Sequence, residues 1–361
     1  MNTQNGKNTI LQDFKKNREN LEKIEKIASE KINALIKEKK LFVMEVSHRI
    51  KEENSLAEKL KRKKNKYNSM YEITDLLGVR IICYLQDTVD AISAAIPQIF
   101  DVDEKNSMDK RQLYDDNQFG YLSIHYICSL KKEDADCSNT ENKSSLSDIR
   151  FEIQIRTVLQ HAWAEIEHDL GYKSRFGIPH PIRREFSRIA GLLELADQEF
   201  VNLRTQTNNY ISEIKQKIAQ GNAEELPLDR ITLQEFIQTN IAFNEFVSSM
   251  CEQLKCEYIP SPADKYLPDL DWLGVKKLAD FIKLFKDNKE IACKILQTQV
   301  SELELDMLTT SMILRDICHA ELLRSGYNRE QIMRYMKLST ENDEAALRHT
   351  ERLMTLLHNL S

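Results

Sequence analysis

The chain has 361 residues, of which 41% are hydrophobic and 30% are charged, a composition typical of a soluble globular protein long enough for two domains. Its 51 basic and 57 acidic residues give a net charge of -6, which argues against a protein that coats nucleic acid over its whole surface. The sequence shows no signal peptide and no apolar run long enough to span a membrane, and its seven cysteines form no CxxC pair, so we expect a cytoplasmic protein without disulfides or a zinc site.

The first part of the chain alternates between helix-like and strand-like segments. Apolar residues at helical spacing predict an amphipathic first helix within residues 9–40. Strands are then predicted at 41–50, 79–85, 121–130 and 150–157, and helices at 55–64 and 88–100. The polar segment 131–148 is poor in apolar residues and predicts a loop.

From residue 158 onward the strand signals vanish and the remaining segments show helical periodicity. The chain therefore reads as an α+β half followed by an all-α half, with GIPHPI at 177–182 as the boundary. We predict an N-terminal helix (1–40) that packs on an α+β domain (41–176), followed by a helical C-terminal domain (182–361).

Two of the predicted strands have one polar face each. In FEIQIRT, alternation places Glu152, Gln154 and Arg156 on the face opposite the apolar residues. In YLSIHYIC, the same alternation places Tyr121 and His125 together. An ordinary half-exposed strand would show the same pattern, so the alternation alone does not establish a site.

A strongly basic stretch lies between the first two predicted strands. Residues 49–66 carry eight basic and three acidic side chains. Arg49 and Lys51 share a strand face, Ser55 can cap the following helix, and Lys59 lies on that helix. The arrangement favours binding of a polyphosphate, although a solvated basic helix is the usual origin of such a run.

Carboxylates near strand ends are the best candidates for a metal site. Arg80 interrupts an apolar strand, so it should meet an anionic ligand or an acid such as Asp75 or Glu72. Asp75 and Glu152 lie at the edges of predicted strands and could share Mg²⁺ with the phosphates of a nucleotide.

One further spacing is compatible with a metal site. His161, Glu165 and either His168 or Asp169 fall on one face of a predicted helix. Because no suitable ligands precede them, we interpret this segment as a helix that backs the sheet.

Four ordered motifs together resemble the synthetase domain of the RelA/SpoT family, the enzymes that make the alarmone nucleotides pppGpp and ppGpp in the stringent response. The motifs are RIKEENSLAEKLKRK, YEITDLLGVRI, FGYLSIH and FEIQIRTVLQHAWAEIEHDLGYK. The resemblance implies a nucleotidyltransferase-like mixed β-sheet flanked by helices. It also implies a Mg²⁺-dependent GTP diphosphokinase, which transfers the β,γ-pyrophosphate of ATP to the 3′-hydroxyl of GTP or GDP.

The resemblance also implies roles for individual residues. Asp75 and Glu152 would hold the metal, and Glu152 would also take the proton of the 3′-hydroxyl. The residues that would bind ATP are Arg49, Lys51, Ser55, Lys59 and Arg80, the two arginines on the adenine and the other three on the phosphates. On the acceptor side, Tyr121 would stack on guanine, and His125, Gln154 and Arg156 would bind acceptor phosphate or order the site.

The chain departs from the family pattern just before Tyr121. The family reads KxNGYxSLH, whereas this chain reads DDNQFGYLSIH, so Phe119 stands in place of the Asn, and Lys110 is a candidate for the missing Lys. The acceptor therefore stays open between guanine nucleotides and the 3′ end of tRNA, and a nucleotide-binding regulatory protein without transferase activity is a further alternative.

The chain outside the motifs adds fewer expectations. About 40 residues precede the first motif, too few for the family's hydrolase domain, so a synthetase without hydrolase is implied. The role of the helical half stays open: it could be a regulatory module, a homo-oligomerisation module or a structural extension.

Overall fold

The computed structural model describes residues 2–63, 66–112, 123–135, 146–172, 179–223, 225–303, 305–340 and 342–360. The chain divides into two compact units, Met1–Thr205 and Gln206–Ser361. The sequence-based division into 1–40, 41–176 and 182–361 stays a prediction.

The first unit contains the strands and helices expected of an α+β domain. Its helices are α1 (Asn2–Lys16), α2 (Arg18–Glu38), α3 (Glu53–Arg62), α4 (Gln86–Ile99), α5 (Lys132–Ala135), α6 (Val158–Tyr172) and the start of α7 (His180–Ala219). Its strands are β1 (Val43–Ile50), β2 (Leu77–Cys83), β3 (Asp101–Val102), β4 (Met108–Asp109), β5 (Ile124–Ser129) and β6 (Phe151–Thr157).

The N-terminal helical segment differs from the prediction of one helix. It forms two helices, α1 and α2, that meet at Asn17. The Asn17 side-chain amide donates to the Asp13 carbonyl at 2.9 Å, a local bond of the kind that competes with helix continuation.

The strands form a mixed sheet in the order β1-β2-β6-β5-β3, with β4 also paired to β5. β2 and β6 are parallel, and the other pairs in this sheet are antiparallel. The prediction of a mixed sheet flanked by helices is confirmed.

One face of this sheet is covered by an apolar core. The buried residues of α2, at helical spacing, are Leu21, Ile24, Ala28, Ile32 and Leu35. They belong to the same core cluster as the fully buried strand residues Ile81, Ile153 and Ile155. Each of these leucines and isoleucines contributes about 1.5–3 kcal/mol when buried, so this packing fixes which face of each strand points away from the core.

The end of β6 is joined directly to α6. The Thr157 amide donates to Gln160 Oε1 at 3.0 Å, and the Gln160 amide donates to Thr157 Oγ1 at 3.1 Å, a reciprocal pair like that of a capping box. Thr157 Oγ1 also donates to Asp197 Oδ2 of α7 at 2.7 Å. These bonds set the position of the strand end that follows Arg156.

The second unit is helical and has its own core. Its elements after α7 are α8 (Arg230–Thr239), α9 (Ile241–Leu254), β7 (Glu257–Ile259), α10 (Leu267–Trp272), α11 (Leu278–Leu303), β8 (Met307–Thr309), α12 (Thr310–Arg324), α13 (Arg329–Met336) and α14 (Asp343–Leu360). A cluster of phenylalanines lies at its centre, including Phe236, Phe243 and Phe281. The helical C-terminal region is confirmed, and a pair of parallel strands, β7 and β8, was not predicted because three residues are too short to show a period.

Two further expectations concern the whole chain. Among the helices that the structure describes, none combines the length and apolarity needed to cross a membrane. Six of the cysteines lie in the described ranges and are free, while Cys137 lies outside them.

Candidate active site

The face of the sheet opposite the core carries two cross-strand rows that contain most of the polar strand residues. Cross-strand pairing gives one row of Ser47, Arg80, Gln154 and His125 and a second row of Arg49, Gly78, Glu152 and Ile127. Because Gly78 has no side chain, the second row has open space between the side chains of Arg49 and Glu152. A Cβ built at Gly78 would meet only the Arg49 carbonyl oxygen, at 4.0 Å.

A chain of hydrogen bonds runs along β6 and across to β5. Arg156 Nη2 donates to Gln154 Oε1 at 2.8 Å, and Gln154 Nε2 donates to Glu152 Oε2 at 3.0 Å. His125 Nδ1 lies 2.8 Å from Glu152 Oε1, and its Nε2 lies 2.7 Å from Ser123 Oγ. Both carboxylate oxygens of Glu152 are therefore held in place by neighbouring side chains.

Glu152 is kept ionised although it is largely buried. Burial raises the pKa of its carboxyl, but the hydrogen bond and charge of His125 and the hydrogen bond from Gln154 outweigh that effect and leave the pKa below its usual value. The nearby charge of Asp75 acts in the opposite direction. The two carboxylates thus act on each other electrostatically.

Asp75 precedes β2 and forms ion pairs with two lysines. Lys51 Nζ lies 3.1 Å from Asp75 Oδ2, and Lys59 Nζ pairs with Oδ1. Burial raises the pKa of Asp75, and the hydrogen bonds and charges of Lys59 and Lys51 lower it by more, so the carboxyl stays ionised. The Lys51 amide also donates to the Leu76 carbonyl at 2.8 Å, which fixes the chain after β1 beside Asp75.

These side chains surround a cleft of about 640 Å³, which lies within the range of small-molecule sites. Its lining includes seven of the predicted site residues: Arg49, Lys51, Ser55, Asp75, Arg80, Glu152 and Gln154. Of the remaining ones, Lys59 contacts the cleft acid Asp75, and His125 and Arg156 join through the hydrogen bonds of Glu152 and Gln154. The structure therefore brings nearly all of the predicted residues to one place.

The acid partner of Arg80 differs from the two that the sequence suggested. Arg80 Nη1 lies 3.2 Å from Glu165 Oε1 of α6, rather than pairing with Asp75 or Glu72. α6 follows β6 directly and contacts β2, which brings Glu165 over the strand. Both side chains are substantially exposed, so this pair contributes at most about 1 kcal/mol and can open for a ligand.

Only some of the residues predicted to bind the acceptor lie within the described ranges. Tyr121 and Phe119 lie outside the described residues, and the stacking of Tyr121 on guanine stays a prediction. Lys110, whose amide donates to the Ser123 carbonyl at 3.0 Å, interacts electrostatically with Glu152 and Arg156. Burial is the main cause that lowers the pKa of Lys110. Lys110 is therefore close enough to Glu152 to interact with it electrostatically, and its role as the missing family Lys stays a prediction.

The donor set fits a magnesium ion that is shared with substrate phosphates. Two ionised carboxylates, Asp75 and Glu152, line one cleft, and Mg²⁺ is typically bound by one or two carboxylates together with phosphate oxygens. Within the described ranges, no group of three or more His, Cys, Asp or Glu residues is arranged to hold a metal alone, and this includes the His161 and Glu165 face of α6.

Comparison with known proteins identifies the part of the chain that carries this cleft. The description "Region found in RelA / SpoT proteins" matches residues 48–176. Two curated relatives from Bacillus subtilis (strain 168) are each similar over 44% of this chain. GTP pyrophosphokinase YjbM is 26% identical over 160 residues, covering 44% of this chain and 71% of the relative. GTP pyrophosphokinase YwaC is 28% identical over 163 residues, covering 44% of this chain and 73% of the relative.

Solved structures include the small alarmone synthetase 2 from Bacillus subtilis, with 23% identity, a TM-score of 0.45, and coverage of 54% of this chain and 99% of that chain. The small alarmone synthetase 1 from the same organism, bound to its product pppGpp, has 22% identity, a TM-score of 0.44, and coverage of 55% and 98%. The cleft residues from Arg49 to Gln154 lie within residues 48–176, the region that matches the RelA/SpoT description.

Proposed function

We propose that this chain is a pyrophosphokinase that transfers the β,γ-pyrophosphate of ATP to the 3′-hydroxyl of GTP or GDP and so makes (p)ppGpp. The observation that carries the proposal is Glu152, an ionised and oriented carboxylate in a cleft that also holds Asp75 and several cationic side chains. Two relatives, 26% and 28% identical to this chain over 44% of its length, are named GTP pyrophosphokinases. The charges suit a reaction in which anionic phosphates must be positioned and neutralised.

In this proposal the β1 and α3 side binds ATP. Lys51 and Lys59 would contact its phosphates together with Ser55, because ammonium groups and a hydroxyl at the start of a helix suit phosphate oxygens. Arg49 and Arg80 would lie on either side of the adenine, since guanidinium planes stack on aromatic rings. The exposed pair of Arg80 with Glu165 would open when the adenine enters.

Glu152 would act as the general base on the acceptor. The 3′-oxygen of the acceptor attacks the β-phosphorus of ATP, the bond between the β-phosphorus and the α–β bridging oxygen breaks, AMP leaves, and the proton of the hydroxyl passes to Glu152. A carboxylate has about four lone-pair positions, so the bonds from His125 and Gln154 orient it and leave positions for the substrate.

Asp75 and Glu152 would hold Mg²⁺, which when bound neutralises charge on the transferred phosphates. The ion pairs of Asp75 with Lys51 and Lys59 keep its carboxyl ionised and close to the groups that bind the phosphates.

The acceptor would lie toward β5 and the end of β6. His125, Gln154 and Arg156 would order the acceptor or bind its phosphates, and Tyr121 would stack on the guanine. Lys110 would supply the cation that the family pattern places before this tyrosine, because it already lies in the field of Glu152 and Arg156.

The test is a product assay with the purified full chain, ATP labelled in its β- or γ-phosphate, and Mg²⁺. Separate reactions contain GTP, GDP, GMP or tRNA as acceptor. We expect a 3′-pyrophosphorylated guanosine nucleotide together with one AMP per product. Label that appears on tRNA and on none of the guanine nucleotides would replace the proposal with the tRNA-modifying alternative, and no transfer to any acceptor would leave a nucleotide-binding protein.

A matched pair of variants tests the role of Glu152. Glu152→Gln keeps the side-chain shape and removes the base, so kcat should fall about 100-fold to 10,000-fold. Glu58→Gln makes the same charge change at an exposed position of α3 and should leave kcat within about twofold. Equal activity of the two variants would show that Glu152 has no catalytic role.

A further inference from the structure

A second polar cavity lies entirely within the unit Gln206–Ser361. It has a volume of about 250 Å³ and is lined by residues of α10 to α14 and by Tyr266, just before α10. Its titratable lining residues include Asp269, Arg315, His319, Tyr335, His349 and Arg352. None of the roles proposed for the nucleotide cleft uses these side chains.

Arg315 is held rigidly at the wall of this cavity. Its Nε donates to Oδ1 of the fully buried Asp316 at 2.8 Å, and its Nη2 pairs with Gln299 Oε1. Gln299 Nε2 in turn donates to Asp316 Oδ1 at 3.3 Å. Within the described part of the chain, Nη1 of Arg315 has no hydrogen-bond partner, so one edge of an oriented guanidinium is left for a further acceptor.

Two other buried polar groups, Tyr335 and Asp269, line the cavity next to each other. Tyr335 is 1% exposed, and its hydroxyl lies close to Asp269 and Cys318 without a well-formed hydrogen bond to either. Asp269 is 5% exposed and has no ion-pair partner among the described residues, and burial raises its pKa. A buried hydroxyl or carboxyl without compensation costs free energy, so such groups are usually satisfied by a partner or ligand.

The cavity offers two guanidinium groups, Arg315 and Arg352, against the carboxyls of Asp316 and Asp269. Burial, together with the charges of Arg315 and His349, lowers the pKa of His319 to about 3, so its ring is neutral at pH 7. Asp316 offsets the charge of Arg315, and Arg352 adds a second guanidinium whose field reaches Asp316. Guanidinium and hydroxyl donors are the groups that bind carboxylate or phosphate oxygens.

The volume limits the size of the ligand. By the same measure the cavity, at about 250 Å³, is less than half the size of the cleft, at about 640 Å³. We therefore expect a ligand smaller than a nucleotide, such as a single phosphate group or a small carboxylic acid.

We propose that this cavity binds a small oxyanion, a phosphate group or a small carboxylate, between Arg315, Arg352 and the hydroxyl of Tyr335. The inference uses residues of the second unit alone and does not depend on the reaction proposed for the cleft.

The test is isothermal titration calorimetry of the full-length protein with inorganic phosphate in one arm and acetate in the other, at constant ionic strength. Tyr335→Phe removes only the hydroxyl, and Arg352→Gln removes the guanidinium of an exposed residue. The control is Arg348→Gln, which removes the same charge one turn earlier on α14, from an arginine that pairs with Glu344 and does not line the cavity.

We expect saturable binding of at least one of the two anions, weakened tenfold or more by Tyr335→Phe and by Arg352→Gln and unchanged by Arg348→Gln. The arm that saturates identifies phosphate or carboxylate as the ligand class. Phosphate binding that is lost in Lys51→Gln but kept in both cavity variants would assign the anion to the nucleotide cleft and overturn the inference. Absence of saturable binding of either anion at 10 mM, about the weakest range for a specific site, would also overturn it.

Discussion

The carboxyl of Asp197 should make the stability of the first unit depend on pH. Its Oδ2 accepts a hydrogen bond from Thr157 at 2.7 Å, while its buried Oδ1 has no partner among the described residues. Burial raises the pKa from 3.8 to about 6, although the Thr157 bond acts in the opposite direction. The residue anchors α7 to the end of β6, directly after the polar row of the cleft.

The sign follows from proton binding in the two states. Between pH 4 and 6 the folded state holds a proton on Asp197 that the unfolded chain has already released, so the free energy of unfolding falls as pH rises through this window and stays lower above it. At 1.36 kcal/mol per pKa unit, the interval from 3.8 to about 6 corresponds to about 3 kcal/mol.

Asp197→Asn removes the ionisation and keeps an oxygen that can accept from Thr157. We expect the variant to be more stable than wild type by up to about 3 kcal/mol at pH 7.5 and equal to it near pH 4. Urea unfolding followed by Trp163 fluorescence in a Trp272→Phe background reports on the first unit, because these are the two tryptophans of the chain.

The control is Asp101→Asn, which removes a carboxylate from an exposed position of β3. Its stability should follow the wild-type pH dependence. The reasoning about Asp197 is refuted if Asp197→Asn stabilises by less than about 0.5 kcal/mol at pH 7.5, or if the difference grows toward pH 4.

Three further predictions concern the cleft. Gly78→Leu should raise the KM for nucleotide at least about tenfold without lowering the melting temperature. Gly78→Ala should bind nucleotide nearly as the wild type does, because a Cβ at this position meets only a carbonyl oxygen at 4.0 Å. Equal KM values for the two variants would contradict this prediction. Lys59→Met should lower kcat/KM about 10-fold to 100-fold and move the acid limb of the pH–rate profile to higher pH, because Asp75 loses a group that lowers its pKa. Lys61→Met on the same helix is the control. An unmoved acid limb would contradict the role given to the ion pair of Lys59 with Asp75. Lys110→Met should raise the KM for the guanine nucleotide about tenfold and leave that for ATP unchanged, and a parallel rise in both would remove Lys110 from the acceptor side.

The alternation of polar and apolar residues along two strands predicted many of the side chains that line the cleft. The polar faces of FEIQIRT and of the His125 strand follow from a side-chain period of two, and the apolar core fixes which face is covered. Two parallel strands, β2 and β6, then bring Arg80 beside Gln154, although they are far apart in sequence. The motif order identified the site, and the sheet supplied the contacts.

Local sequence could not supply partners that come from separate elements. Glu165 pairs with Arg80 because α6 contacts β2, and no spacing near Arg80 indicates that acid. The same holds for Asp197 and Thr157, which are joined across 40 positions. An i, i+4 spacing with His161 on α6 was the available sign that Glu165 belongs to a polar group, but we interpreted that segment as a helix that backs the sheet.

The sequence by itself determined the α+β character of the first part, the helical character of the second, and the polar side chains that line the cleft, because these depend on periodicity and residue chemistry. Tertiary structure alone decided that Asp75 is held by Lys51 and Lys59, that Glu152 is bracketed by His125 and Gln154, and that a polar cavity exists around Arg315. These features depend on the strand register and helix packing, which bring together residues that are distant in the chain.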